Sequence, residues 1–516
     1  MSASTEKKNR QAAREAGTDK KTNAVEREKA MKKKSSLRWT LGTVLVVLLI
    51  AAILFLNSGF LYTGTTAIRV GDEKYSPAEV NYRYSTQYLN WVNQYGSYAS
   101  MFGIDPKAGT AGLKNAPCSF TEEGTWRDYF LDMTVGEMTQ VKAIKDYAAA
   151  EGIELSEDEK TDIEAEFSTI ESFAKMQGYS SVDNFLSANY GEGVDNEIAL
   201  EGACDSALVA KTIKTYTDSL SYTDKELREH YDSFNGDRDV FDIVYYAAIA
   251  EKVAGENEDD EKAATEETIA AAKAEAEAVL AAYKEQEDGD VEARMNAAIK
   301  KAGAEGQAVH NDSASGASLG TYRDWAMGSR SEGDVTLVEN TAGDGYFVAA
   351  FVSRSDNSYR LAQVRHILVK AQPDENGEYT EAAKAEAKAK AEDIYKEWKS
   401  GAATEESFGV LASEHSEDPG SKDNGGLYDA VMKGQMVEEF DKFCFEGHKS
   451  GDTAIVYGEV PGGYAGYHIM YYVGEGDVCS DYIAKNDLVN TNSEEWLSSL
   501  VENYEADRCF WLKLVG

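Results

Sequence analysis

The runs Val364-Arg365-His366-Ile367-Leu368-Val369-Lys370 (VRHILVK) and Gly466-Tyr467-His468-Ile469-Met470 (GYHIM) decide how the C-terminal half of this chain is read. Each is a short, strand-like apolar run with a histidine inside it. Between them lie SEDPGS (Ser416 to Ser421), NGG (Asn424 to Gly426) and GQMVEEF (Gly434 to Phe440). Asp418-Pro419-Gly420 is ordinary turn chemistry. Met436 and Phe440 are apolar residues four apart, which places them on one face of a helix. Taken singly, a strand histidine is usually a structural residue and an apolar pair at helical spacing is usually core.

In this order and spacing the five words resemble the parvulin family of peptidyl-prolyl cis/trans isomerases, over about 110 of the 516 residues. The resemblance implies an α+β isomerase domain at residues 360–476. It implies that His366 and His468 lie side by side on neighbouring strands at the floor of a site, and that Asp418 faces the substrate carbonyl. Met436, Phe440, Tyr428 and Gln435 are the substrate-binding residues it implies. The chemistry needs no cofactor and no metal. Rotation about a peptide C–N bond faces a barrier of about 18–20 kcal/mol, and only X–Pro bonds populate cis appreciably. An apolar cup for the proline ring in a dry site favours the twisted, less conjugated amide over the planar one. The chain also departs from the family. After NGG it continues Leu427-Tyr428-Asp429-Ala430-Val431, so Tyr428 stands where the family carries a cup leucine, and Gly463 stands where a polar residue is expected. Only Arg365 and Lys370 flank His366 in sequence, too few cations for phosphate-directed specificity.

A repeat precedes this domain. Residues 239–245 parallel 363–369, and each run is followed by an Ala/Glu/Lys-rich helix, 262–284 in the first copy and 380–399 in the second. Tyr322 then parallels Phe440, and Gly345-Tyr346-Phe347-Val348 parallels Gly466-Tyr467-His468-Ile469. Residues 237–356 therefore read as a degenerate parvulin-like repeat, with Asp242 in place of His366, Phe347 in place of His468 and Ser318 in place of Met436. SEDPGS and NGG have no counterpart there.

Charge is unevenly placed. The net charge is −39, yet residues 1–38 hold 12 Lys/Arg against 5 Asp/Glu and the remainder holds 40 against 86. Between these parts Trp39 to Leu56 is an uncharged apolar run of 18 residues, long enough for one membrane-spanning helix. Residues 39–59 are expected as a single-pass anchor, with the basic tail 1–38 cytoplasmic and the bulk outside the cell membrane. A cleaved signal peptide is the alternative, although the run is longer than a usual apolar core of such a peptide. The basic tail, poor in large apolar residues, reads as disordered.

Residues 67–236 read as an all-α module. Ser76-Pro77-Ala78-Glu79, Ser156 to Glu159 and Thr223 to Glu226 are helix-start signatures, each with Glu three residues after Ser or Thr. An aromatic stripe runs from Tyr82 to Phe102 and reads as core. Ala67 to Asp72 followed by a capped helix resembles the N-terminal chaperone module of extracytoplasmic foldases that carry parvulin domains. Residues 477–516 hold at least one amphipathic helix, expected to pack back on that module. Five cysteines without a CxxC pair give no zinc or thioredoxin-like site, and the six histidines do not cluster at metal-ligand spacing. The acidic exported part repels nucleic acid.

The expected architecture is thus multidomain: one transmembrane helix, an all-α chaperone-like module, two α+β parvulin-like domains with the first degenerate, and a C-terminal helix. The partners expected are unfolded or nascent exported polypeptides with X–Pro bonds, and the membrane through the N-terminal helix. Two functions compete, an active foldase and a holdase whose parvulin-like domains are binding scaffolds. The topology is testable. Protease added to intact cells should remove everything after about residue 65 and leave a short membrane-bound stub. Recovery of a soluble, cleaved protein from the medium would contradict the anchor.

Overall fold

The computed structural model describes residues 3–17, 29, 43–50, 55, 59–121, 123–253 and 263–516. The chain divides into two compact units, one running through Leu220 and resuming at Asn492–Gly516, the other Ser221–Thr491. Most of the expected anchor lies outside the described residues. Its residues 43–50 are helical and exposed, and among the described residues no helix is long and apolar enough to cross a membrane.

The first unit is built on helices Pro77–Tyr95, Trp126–Glu151, Glu157–Met176, Val182–Tyr190 and Asn196–Ser219. The signatures at Ser76 and Ser156 form reciprocal capping boxes, as does Thr223 in the second unit. Each side-chain oxygen satisfies an N–H that the helix cannot. The module is not purely helical. Strands β1 (Ile68–Val70) and β2 (Glu73–Tyr75) pair antiparallel, and the C-terminal residues Ala506–Arg508 pair on the far side of β1. Tyr504 donates to Asp146 at 2.6 Å, and Trp496 stacks on Tyr216 with ring centroids 4.1 Å apart. The last residues therefore complete the module's core, where Leu512 and Val515 join Ile68, Tyr84, Trp126 and Phe130. Arg83 is buried between Glu137 at 2.8 Å and Asp205 at 2.7 Å. Both carboxylates are needed, because an unpaired charge there would be strongly destabilising.

The second unit starts earlier than the sequence suggests. The helix Asp224–Ser233 belongs to it, since Leu227 and Tyr231 pack against Ala484 and the Tyr231 hydroxyl donates to Asp239 at 3.0 Å. Likewise the expected C-terminal segment 477–516 is divided, its first part lying here.

Two four-stranded antiparallel sheets follow. The first uses β3 (Val240–Ile249), β6 (Val309–Ser315), β7 (Val335–Glu339) and β8 (Gly345–Ser355) in the order β6-β3-β8-β7; the two-residue strands β4 (Lys252–Val253) and β5 (Ala263–Ala264) form a separate pair. The second uses β9 (Arg360–Lys370), β10 (Leu427–Val431), β11 (Thr453–Glu459) and β12 (Ala465–Val478) in the order β10-β9-β12-β11. The orders correspond strand for strand. In each copy two helices, Glu266–Lys284 with Val291–Ala302 and Glu381–Ser400 with Glu405–His415, bury an alanine-lined face on the sheet.

Hydrogen-bond register corrects the repeat alignment. Gly345 pairs with Ile249 as Gly466 pairs with Lys370. A Cβ at Gly345 would lie 2.7 Å from the Ala248 carbonyl oxygen, and one at Gly466 would lie 2.5 Å from that of Val369. Counting back from these matched glycines places Tyr245, not Asp242, at the position of His366, while Phe347 stands at the position of His468 as expected. The sequence match slipped by three residues because apolar runs of one composition align in several frames, and β3 carries a bulge beside Asp242.

Asp242 instead holds His310 Nε2 at 2.8 Å, while Glu292 holds Nδ1 at 3.0 Å. Burial of His310 opposes its charge, but the two carboxylates outweigh it and raise its pKa. A raised folded-state pKa gives stability that is present at acidic pH and lost as pH rises through that value. His310→Gln should lower the urea midpoint at about pH 5.5 and leave it unchanged at about pH 9, by less than about 1 kcal/mol given its exposure. An equal loss at both pH values would show that the clasp is not electrostatic.

Candidate active site

β9 and β12 are central neighbours, and their antiparallel register pairs His366 with Met470 and Leu368 with His468. The two histidines are thus diagonal neighbours on one face. Their Nδ1 atoms lie 3.1 Å apart and their rings stack at 5.3 Å. Both side chains are buried.

The SEDPGS loop is sewn onto β9. Ser416 Oγ accepts from the Leu368 N–H at 3.2 Å, the Glu417 N–H donates to the Leu368 carbonyl at 2.8 Å, and the His366 N–H donates to the Gly426 carbonyl at 2.8 Å. Gly426 adopts φ 72°, and a Cβ there would lie 2.3 Å from the His366 carbonyl oxygen, so only glycine fits. This stitching carries Asp418 to the pair. Its Oδ2 lies 2.9 Å from His366 Nε2 and accepts from the hydroxyls of Ser421 at 2.6 Å and Tyr428 at 3.0 Å. At the other end, Tyr464 Oη lies 3.0 Å from His468 Nε2.

These partners set the tautomers, because a carboxylate only accepts and each neutral imidazole has one N–H. His366 donates from Nε2 to Asp418, so its Nδ1 accepts from the Nδ1–H of His468. His468 Nε2 in turn accepts from the Tyr464 hydroxyl. Every proton in the chain Tyr464, His468, His366 is aimed toward one anion. The hydrogen bond from His366 is the largest of the effects that hold the Asp418 carboxyl well below the ordinary carboxylate range, against the opposing effect of burial. Burial, reinforced by His366, pushes His468 down to about 3, so it is neutral at physiological pH. Burial and then the Asp418 charge push the Tyr428 phenol up to about 12, so it stays a donor.

Above this floor lies an apolar wall. Phe440 sets its edge against both imidazoles with centroids at 5.3 Å, and the Tyr428 ring lies over His366 at 5.3 Å. Met436 and Val456 are half-buried against the same cluster. A floor of hydrogen-bonded groups fixed around one shielded carboxylate, beside apolar walls, is a dry surface suited to an amide that loses its charge-separated resonance as it twists.

One expectation about this site changes. Met436 does not share a helix with Phe440, since the helix is Glu438–Phe445 and Met436 lies in the turn before it. Gly434, at φ 75°, bends the chain there and its N–H donates to Asp441 at 2.8 Å. Gln435 is exposed, and its side-chain carbonyl closes the turn by accepting from the Met432 N–H at 2.9 Å. Asp418 turns Oδ2 inward to three donors. Ser421 and Tyr464 were missed. Ser421 was visible inside SEDPGS, three residues after Asp418, whereas nothing in the sequence singled out Tyr464.

Residues 366–473 match the family model described as Rotamase: PPIC-type PPIASE domain. No curated protein matches the chain. Among solved structures it is similar to a peptidylprolyl isomerase (PrsA) from Bacillus anthracis, at 25% identity over 28% of this chain and 59% of that one, with a TM-score of 0.17. It is also similar to the foldase protein PrsA from Streptococcus pneumoniae, at 12% identity over 75% of this chain and 91% of that one, TM-score 0.23. A peptidylprolyl isomerase (PrsA) from Bacillus cereus matches at 14% identity over 75% and 89%, TM-score 0.18. The chain thus spans less than two thirds of the first of these. It carries a PPIC-type, parvulin peptidyl-prolyl isomerase domain.

Because the Asp418 pKa is depressed in the folded state, its contribution to stability is present above its unfolded value near 3.9 and lost as pH falls. Asp418→Asn should therefore destabilise the protein at neutral pH, and the gap from wild type should narrow progressively in urea melts as pH falls below about 4. Tyr428→Phe, which removes one of three donors, should cost less than Asp418→Asn. The reverse order would mean that Asp418 does not organise the network.

Proposed function

We propose that this protein is a membrane-anchored foldase that turns X–Pro bonds of exported polypeptides through the domain at residues 360–476. The observation that carries the reading is the His366–His468 pair, closed at one end by Asp418 and walled by Phe440, Met436 and Tyr428. In this reading His366 and His468 are the catalytic residues, and they act by holding a dry floor of fixed hydrogen bonds under the twisting amide. Asp418 is the positioning anion, fixing the histidine tautomers. Met436 and Tyr428 line the proline cup and Phe440 backs it. Gln435 shapes the turn that presents Met436. The uncharged run Trp39 to Leu56 behind a basic tail supports an anchor with the catalytic part outside the cytoplasm. The capped helices and aromatic core of the first unit support a chaperone-like module that holds unfolded chains, and residues 237–356 serve as a non-catalytic repeat.

The holdase reading is favoured by one observation. Where the family carries a cup leucine, the Tyr428 hydroxyl reaches into the cup and bonds Asp418. The two readings separate in a protease-coupled prolyl-peptide assay on the full chain. An active foldase should lose at least about tenfold in turnover on Met436→Ala, about 1.4 kcal/mol of transition-state stabilisation, with the fold retained. Met436 is the better probe than Phe440, whose truncation would also open a core cavity at about 3–5 kcal/mol. Wild-type turnover in Met436→Ala would sink the cup assignment, and an inactive wild type that still suppresses client aggregation would establish the holdase.

A further inference from the structure

The first unit carries a second apolar site, distant in sequence from the isomerase domain. The helix Pro77–Tyr95 presents Gln87, Asn90, Trp91, Gln94 and Tyr95 along one face, at spacings of three, four, seven and eight residues. With Phe102, Phe120, Tyr129 and Met133 they enclose a pocket of about 440 Å³. That volume falls within the roughly 300–1,000 Å³ of built ligand sites. Trp91 forms the buried floor, packed against Phe102 at 5.8 Å, and Phe102 packs on Phe120 at 5.3 Å. The Trp126 indole N–H donates to the Phe102 carbonyl at 3.0 Å and pins the turn that shapes the wall. The rim is exposed: Tyr95, Phe120 and Met133 are 41%, 51% and 40% accessible.

The lining selects its occupant. All nine lining residues are uncharged, in a chain whose residues are 28% charged. A charged ligand would be desolvated there without a counter-charge. A lipid headgroup would find no cation, and an acyl chain would leave the amides of Asn90 and Gln94 without use. Gln87 Nε2 donates to Glu137 at 3.5 Å, so Gln87 offers its carbonyl, while the amides of Asn90 and Gln94 both donate and accept, which is what a peptide backbone demands at every residue. Aromatic walls in turn favour an aromatic side chain in edge-to-face contact.

We propose that this pocket binds an extended, uncharged polypeptide segment, taking one aromatic side chain onto Trp91 and the flanking backbone onto Gln87, Asn90 and Gln94. The proposal rests on the foldase reading and names the client feature that its helical module would grip, independently of proline.

The test uses the full chain and two dye-labelled, proline-free peptides, one with a single Trp among Gly and Ser and one with Ala in its place, read by fluorescence anisotropy. The Trp peptide should bind at least about tenfold tighter, which is about 1.4 kcal/mol. The preference should be unchanged between about 0.05 and about 0.5 M salt, since no charge pair is involved. Tyr95→Lys and Met133→Lys, both at the exposed rim, should each abolish the preference without lowering the melting temperature or isomerase turnover. Gln94→Leu should weaken binding of both peptides. Equal affinity for the two peptides would overturn the proposal, as would an undiminished preference in both rim variants. Loss of the preference in Met436→Ala would overturn it too, because the isomerase cup would then be the site. So would salt-dependent binding, or a concentration-dependent dimer dissolved by Tyr95→Lys, which would make the pocket a contact between copies. Isomerase turnover is the separate readout of the foldase reading: a chain that turns prolyl peptides but does not distinguish Trp from Ala sinks the pocket alone.

Discussion

Three donors converge on one oxygen, Oδ2 of Asp418, and the geometry of the isomerase domain's site follows from that convergence. A largely buried carboxylate is tolerable only when its lone pairs are met by donors. Meeting them fixes the proton of His366 on Nε2, and this in turn makes its Nδ1 the acceptor for His468. The histidine pair is therefore a consequence of the anion rather than an independent feature. The loop that delivers the anion is fastened to β9 by main-chain bonds and by Ser416, so the network is held by the sheet.

The two copies show what the anion is for. They share strand order, paired glycines and two alanine-faced helices, yet the loop between the second helix and β6 is short in the first copy and carries no counterpart of the SEDPGS run that delivers Asp418. At the positions of His366, His468 and Phe440 stand Tyr245, Phe347 and Tyr322, which pack against one another at 5.6 to 6.2 Å. Without an anion to orient them, imidazoles there would be buried polar rings lacking partners, and aromatic residues that need none fill the space instead. The scaffold and the site are separable, and only the second copy has both.

Much of this was legible in the sequence, and the part that was not has physical reasons. The capping boxes were readable because Ser or Thr and a Glu three residues on act locally. The strands carrying His366 and His468, and their adjacency, came from a resemblance that the domain match over residues 366–473 supports. The frame of the repeat was not readable, because an apolar strand aligns with another in several registers and only hydrogen bonds choose among them. The turn that takes Met436 off the helix depends on the positive φ of Gly434, and spacing alone could not distinguish it from a helical face. Tyr464 was invisible because its value lies in a partner across the hairpin end. The C-terminal strand of the first unit joins β1 from more than four hundred residues away, a pairing that local patterning does not encode.

The direction of the protons between Tyr464 and Asp418 determines which groups of the site donate and which accept. Long-range proton–nitrogen spectra of the histidine side chains in the full chain measure that direction. His468 should appear neutral, with its proton on Nδ1, across about pH 5 to 8. His366 should show a protonated Nε2. In Asp418→Asn the His366 assignment should change while the backbone spectrum of β9 and β12 stays in place. A His468 that titrates near its ordinary value, about 6.5, or a His366 with its neutral-form proton on Nδ1, would contradict the network on which this reading of the site depends.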